Sequence, residues 1–268
     1  MKILFLGYDA WGDWISYNGL IRYLAERYDN VYIQLDYGRA RESFVIDLFK
    51  DDDKIEIYSG QHYDLVVDAH TYDEPCQSDF NKNNKLGDLY LDYTLNPFKD
   101  PLPSNPACFY QYLGLSDNVR TQYFYFVRNK IEEDILFNTL NLTKGQYDLI
   151  CQPPNTKINE RYFGDVQIVN IHNLSPKFTD TLKIVEDARQ VHLVDNSLAL
   201  FIYHLQYKNL LKPREINFHA YARMDERNCV GVDENNIFTE HNKYYNNNLR
   251  CINAMLTPKL NNWNFIWR

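Results

Sequence analysis

The sequence predicts an α/β protein of two lobes facing across a cleft, each built on a mainly parallel sheet. Three observations carry this expectation. Strand-length apolar runs alternate with helical patterns through the first seventy residues or so, the order that produces right-handed strand–helix–strand crossovers. The alternation lapses and then begins again at Tyr147. Leu65-Val66-Val67 is apolar without a break, as in a central strand covered on both faces. Two Rossmann-like lobes are therefore expected, 1–145 and 146–268, the second ending in a helical tail; one continuous sheet is the competing arrangement.

Lys2–Leu6 reads as the first buried strand, and Trp14–Tyr28 as a helix with Ile15, Leu20, Ile21 and Leu24 on one side. Val31–Leu35 is the next strand, Ser43–Lys50 a short helix, and Lys54–Tyr58 and Leu65–Ala69 further strands. From Asp73 to Pro106 the pattern dissolves into Asn, Asp, Pro and Lys, which reads as a long loop region with one short element near Leu89–Tyr93. Ala107–Leu113 and Val127–Leu140 look helical, the latter with Ile131, Ile135 and Leu136 on its apolar stripe and Asn141–Gly145 as its stop. The second series runs as strand Tyr147–Cys151, strand Val166–Ile171, helix Thr179–Ala188, strand Val191–Val194, helix Leu198–Leu211 and strand Glu215–Ala220. The tail from Glu240 carries helical stretches and ends on Trp263 and Trp267.

Composition narrows the class. With 268 residues and 45% hydrophobic content, the chain can build a substantial core. The net charge of −8 argues against a general nucleic-acid binder. Five cysteines, Cys76, Cys108, Cys151, Cys229 and Cys251, are widely spaced with no C-x-x-C pair, so free thiols are expected rather than zinc ligands or disulfides. The N-terminal apolar run is short and interrupted by Asp9 and Asp13, unlike a signal peptide, and a cytoplasmic protein without a transmembrane segment is expected.

The chemistry-bearing residues fall just after strands. Trp11-Gly12-Asp13-Trp14 stands where many α/β folds bind phosphate, yet its carboxylate would repel one. Asp13 suits the acidic preference of a helix N-terminus; equally, it projects from the sheet's carboxyl edge, where ligands of α/β folds bind, as a general base. Gly12 would allow close approach of an acceptor, and Trp11 or Trp14 would stack on a sugar face. Asp195-Asn196-Ser197 opens an apolar helix after a strand, so its backbone N–H groups and the Ser197 hydroxyl suit a diphosphate. The same three residue types are also the preferred N-caps.

His172 and Asn173 follow another strand and would line a nucleotide site, although a histidine hydrogen-bonded within its loop is the commoner case. Asp68 and His70 share a face of an extended chain but lack a third metal ligand, so His70 is assigned to the acceptor side. No P-loop, G-x-G-x-x-G fingerprint, G-x-S-x-G elbow or H-E-x-x-H motif occurs. Asp51-Asp52-Asp53, the nearest thing to a D-x-D metal motif, reads as a solvated loop.

Together these pieces resemble the GT-B glycosyltransferases, most closely the heptosyltransferase-like family that uses ADP-heptose. Gly12-Asp13 matches that family's small-residue turn ending in Gly-Asp, whose aspartate is the catalytic base. Val194-Asp195-Asn196-Ser197 stands where the family has an Asp-Thr-Gly type turn at the donor diphosphate, with Asn and Ser replacing Thr and Gly. Lys157 is the counterpart of a donor-binding lysine, while the family's histidine in the following helix has no match near Leu200. The resemblance implies a metal-independent inverting transfer from a nucleotide-diphosphate sugar to a hydroxyl of a glycan or glycolipid, with no cofactor. The alternatives are a nucleotide-sugar epimerase or hydrolase, and a non-catalytic sugar- or nucleotide-binding module.

Overall fold

The structure is a computed structural model describing residues 1–7, 11–35, 42–58, 62–68, 87–92, 110, 113–116, 118–152, 158–174, 177–194, 196–219 and 260–266. It divides into two compact units, Met1–Val127 and Arg128–Arg268, each with its own five-stranded sheet. Two separate sheets bear out the two-lobe expectation over the single-sheet alternative. The division falls before the helix at 130–139 rather than at 145, because that helix is anchored to the second unit.

In the first unit, β1 (Lys2–Gly7), β2 (Asn30–Leu35), β3 (Ile55–Ile57), β4 (Tyr63–Asp68) and β5 (Gly87–Asp92) pair in parallel in the order β3-β2-β1-β4-β5. β5 is the short element expected near Leu89, and it forms an edge of the sheet. Helix α1 (Trp11–Arg27) starts three residues earlier than its apolar periodicity suggested, so the Gly12-Asp13 turn is its first helical turn. α2 (Glu42–Phe49) and the short α3 (Asn118–Gln122) complete the described helices of this unit.

α1 is buried from Trp14 through Arg22, so its polar residues need internal partners. Asn18 donates to the Leu48 carbonyl at 3.2 Å and accepts from the Tyr125 N–H at 3.0 Å. The Tyr110 hydroxyl inserts into the helix ladder, donating to the Ser16 carbonyl at 2.6 Å and accepting from the Leu20 N–H at 3.0 Å. Gly19 allows α3 to close on α1, since a Cβ there would stand 2.3 Å from the Arg120 carbonyl oxygen. Asp51 and Asp52 are not merely a solvated run: Asp51 pairs with the buried Arg22 at 2.7 Å, and Asp52 lies 3.8 Å from the same guanidinium.

In the second unit, β6 (Tyr147–Cys151), β7 (Gln167–Asn170), β8 (Gln190–Leu193), β9 (Ile216–His219) and β10 (Trp263–Ile266) pair in parallel in the order β10-β9-β8-β6-β7. β10 lies at the end of the tail, whose expected helical stretches from Glu240 fall at 240–259, outside the described residues. Its Trp263 is buried against Tyr203 and Phe218, and its indole donates to Gln206 Oε1 at 2.5 Å. The helices are α4 (Lys130–Thr139), α5 (Leu182–Asp187) and α6 (Ser197–Tyr207).

α4 turns a different face inward from the one its isoleucines suggest. Ile131 and Ile135 are 73% and 53% exposed, whereas Phe137 and Glu133 are buried. Arg128 explains this, because it grips Glu133 with a bidentate ion pair at 3.0 and 2.5 Å and reaches Glu186 at 2.9 Å. α4 and α6 both end in Schellman motifs with asparagine, not glycine, in the left-handed position: Asn141 (φ 51) and Asn209 (φ 57). The closing bonds are Leu142 N–H to Phe137 C=O and Leu210 N–H to Leu205 C=O. Hence α6 stops at Tyr207, short of the expected Leu211.

Candidate functional site

In a parallel sheet all strands deliver their carboxyl ends to one edge, and ligands of such folds sit at the point where strand order reverses. In the first unit that point lies between β1 and β4, where Leu6 pairs with Asp68. The chain leaving β1 enters α1 within a few residues, which brings Asp13 into the first helical turn. Asp13 is half-buried in the first turn of α1, at the helix end where acidic residues are preferred. Gly12, also half-buried, accepts a hydrogen bond from the Ser16 hydroxyl at 2.9 Å through its carbonyl. His70 follows β4 but lies outside the described residues.

The two tryptophans differ. Trp11 is half-buried, with its ring tilted against Phe44 at 5.5 Å. Trp14 is a core residue, 2% exposed, and this corrects its assignment to acceptor stacking. Its ring lies over Gly7, where a Cβ would come within 2.3 Å of it, and packs edge-on against Phe5 and Tyr17. Gly7 is thus needed for the Trp14 indole to cover the end of β1.

In the second unit the reversal lies between β6 and β8, and a side-chain contact spans it. Asn196, the N-cap of α6, accepts from the Ala199 N–H at 3.0 Å and points its amide at Cys151 Sγ, 3.1 Å away at the end of β6. Burial pushes the Cys151 thiol up to about 11, against a lowering by the Asn196 hydrogen bond, so it is an uncharged acceptor here. With Ala199 capped and the Leu200 N–H directed to the Asn196 carbonyl, the N–H groups of Ser197 and Leu198 are the first-turn donors with no partner among the described residues. Ser197 is half-buried. Asp195 and Lys157 lie outside the described residues.

Gln152 and Asn170 were not singled out from sequence, yet they brace this edge. Asn170 accepts from the Gln152 and His172 N–H groups at 3.4 and 3.2 Å and donates to the Gln152 carbonyl at 3.2 Å. Gln152 Oε1 in turn accepts from the Ile158 N–H at 3.0 Å, tying together the two ends of the segment that contains Lys157. No sequence motif marks such a clasp; an Asn at a strand end is its one visible signal. His172 is exposed on the short 3-10 turn Ile171–Asn173, which Asn170 caps, and Asn173 ends that turn. Among the described residues no cluster of three or more His, Cys, Asp or Glu side chains is arranged to hold a metal ion, and no helix is long and apolar enough to cross a membrane.

The sequence matches no protein-family description and no curated protein. Among solved structures, the chain is similar to E. coli ADP-heptose LPS heptosyltransferase II, at 12% identity and a TM-score of 0.47, covering 82% of this chain and 84% of that one. It is also similar to E. coli heptosyltransferase WaaC with ADP-2-deoxy-2-fluoro heptose, at 12% identity and a TM-score of 0.40, covering 82% and 88%. A third similarity is to Neisseria meningitidis UDP-GlcNAc 2-epimerase bound to UDP-GlcNAc, at 10% identity and a TM-score of 0.36, covering 98% and 95%. No fold assignment and no residue role rests on these likenesses.

Proposed function

We propose that the chain is a glycosyltransferase that moves a sugar from a nucleotide-diphosphate sugar to a hydroxyl of a glycan or glycolipid, with inversion at the anomeric carbon. One observation supports this above the others: the carboxyl-edge reversal point carries a carboxylate in one unit and an open helix N-terminus in the other. A base and an anion site are the two elements a displacement at a glycosyl phosphate needs. In this reading Asp13 accepts the acceptor's hydroxyl proton as that oxygen attacks the anomeric carbon. The bond to the diphosphate oxygen breaks, and the leaving diphosphate is held by the Ser197 and Leu198 N–H groups and the Ser197 hydroxyl, with Lys157 neutralising charge. Asp195, Asn196, His172 and Asn173 border the donor, while Trp11, Gly12 and His70 border the acceptor. The step so drawn uses no metal and no cofactor.

The test has two stages. A thermal-shift screen of nucleoside diphosphates and nucleotide sugars in EDTA is expected to show a selective rise in Tm, because a ligand that binds only the folded state stabilises it. With the donor so identified, Asp13→Asn is expected to lower turnover about 10²- to 10⁴-fold while leaving donor binding intact. Undiminished turnover in Asp13→Asn would remove it as the base.

A further inference from the structure

The second sheet buries a pair of histidines that the proposed reaction does not use. His192 of β8 and His219, the last residue of β9, are 1% and 0% exposed. Their rings stack at 5.2 Å, with His192 Nδ1 and His219 Nε2 2.9 Å apart, so one ring donates and the other accepts. The segment leading into β7 closes over them. Tyr162 meets the His219 ring edge-on at 5.0 Å, and Phe163 meets the His192 ring at 5.1 Å. His192 Nε2 is buried and has no hydrogen-bond partner among the described residues.

We propose that this pair is a proton-sensitive latch that holds the Tyr162–Gly164 segment against the sheet only while both rings are uncharged. One added proton leaves the ring-to-ring hydrogen bond intact but places a cation under Tyr162 and Phe163, where His192 Nε2 has no hydrogen-bond partner among the described residues. A second makes both facing nitrogens donors, and the bond is lost.

The described charged groups around the pair are already engaged. Asp148 on β6 is held by Arg189 through bonds of 2.9 and 2.5 Å, and it accepts from the Gly164 N–H at 3.4 Å. Glu215, just before β9, accepts from Gln190 at 3.1 Å and Asn264 at 2.7 Å. Arg161 donates to the Tyr162 hydroxyl at 2.7 Å, and its neighbour Glu160 is exposed. Burial holds His192 below its ordinary value of 6.5, outweighing the upward pull of Asp148 and Glu215; Arg189 lowers it further. Burial, then His192, pushes His219 down to about 4.

Because both rings are depressed in the folded state, stability is fully present above 6.5, where unfolded histidines are also neutral. It is lost as pH falls from 6.5 toward about 4. The inference is independent of the proposed transferase activity.

Hydrogen exchange of the Tyr162, Phe163 and Gly164 amides, which donate to Asn159 C=O, Glu160 C=O and Asp148, reads the latch directly. The segment's opening constant is expected to rise about tenfold per pH unit below pH 6 for each proton taken up. His192→Gln and His219→Gln, which cannot titrate, are expected to flatten that dependence. Equal pH dependence in wild type and both variants would overturn the proposal. Should either variant fail to fold, nitrogen chemical shifts of the two rings in the wild-type protein decide: protonation near pH 6.5 with the amides still protected contradicts it.

Discussion

Arg128 offers a quantitative test of how the second unit is held together. Its guanidinium makes four hydrogen bonds: two to Glu133 at 3.0 and 2.5 Å, one to Glu186 at 2.9 Å and one to the Leu210 carbonyl at 3.1 Å. These losses are unequal. Glu186 is partly exposed and keeps the Lys212 N–H at 3.0 Å, so losing Arg128 there costs about 0–1 kcal/mol. Glu133 is 1% exposed, and stripping its partner leaves a buried carboxylate, which costs about 3–5 kcal/mol. Arg128→Met keeps most of the aliphatic stem and removes the charge, so the expected loss is about 4 kcal/mol in urea denaturation at neutral pH. Arg128→Met with Glu133→Leu removes both charges and is expected to recover most of that loss. A single variant that loses less than about 1 kcal/mol, or a double variant no better than the single, would refute the reasoning.

The first unit and Cys151 give three further predictions. Gly19→Ala drives a Cβ to 2.3 Å from the Arg120 backbone oxygen, so α1 and α3 must separate, at an expected cost of about 1–3 kcal/mol by denaturant titration. Tyr110→Phe removes the hydroxyl that bonds the buried Ser16 carbonyl and Leu20 N–H of α1, with an expected loss of about 1–3 kcal/mol by denaturant titration. Cys151, buried and held as a thiol up to about 11, is expected to resist alkylation in the native state at mildly alkaline pH and to react once urea unfolds the chain. Labelling of Cys151 at equal rates in both states would contradict its burial.

Much of the architecture was legible because parallel strands buried on both faces are plain apolar runs: Lys2–Gly7, Tyr63–Asp68 and Tyr147–Cys151 all stand close to where the sequence put them. The misses have physical causes. On α4 one of the two buried residues is a glutamate, Glu133, whose partner, Arg128, precedes the helix, and a charge paired at close range does not register in a hydrophobic pattern. α6 was overrun because Asn209 takes the left-handed role usually read from glycine. β10 was missed because only four residues, Trp263–Ile266, form it, and its partner β9 is more than forty residues away.

The candidate site was legible only in part. Helix starts after strands pointed to Asp13 and to Asn196-Ser197, whereas Trp14 carried the same aromatic signal as Trp11 yet belongs to the core. What separates them is Gly7, whose missing side chain makes room for one indole and not the other. The Gln152–Asn170 clasp depends on register between β6 and β7, which no single sequence displays.

The proposed transfer requires that the carboxyl edge of the second sheet bind the donor's diphosphate. Its most direct test is amide chemical-shift mapping of the isotope-labelled full chain during titration with nucleoside diphosphates in EDTA. Saturable movement centred on the Ser197 and Leu198 amides is expected. Saturable binding that leaves those amides unmoved, or no binding by any nucleoside diphosphate or nucleotide sugar, would contradict it.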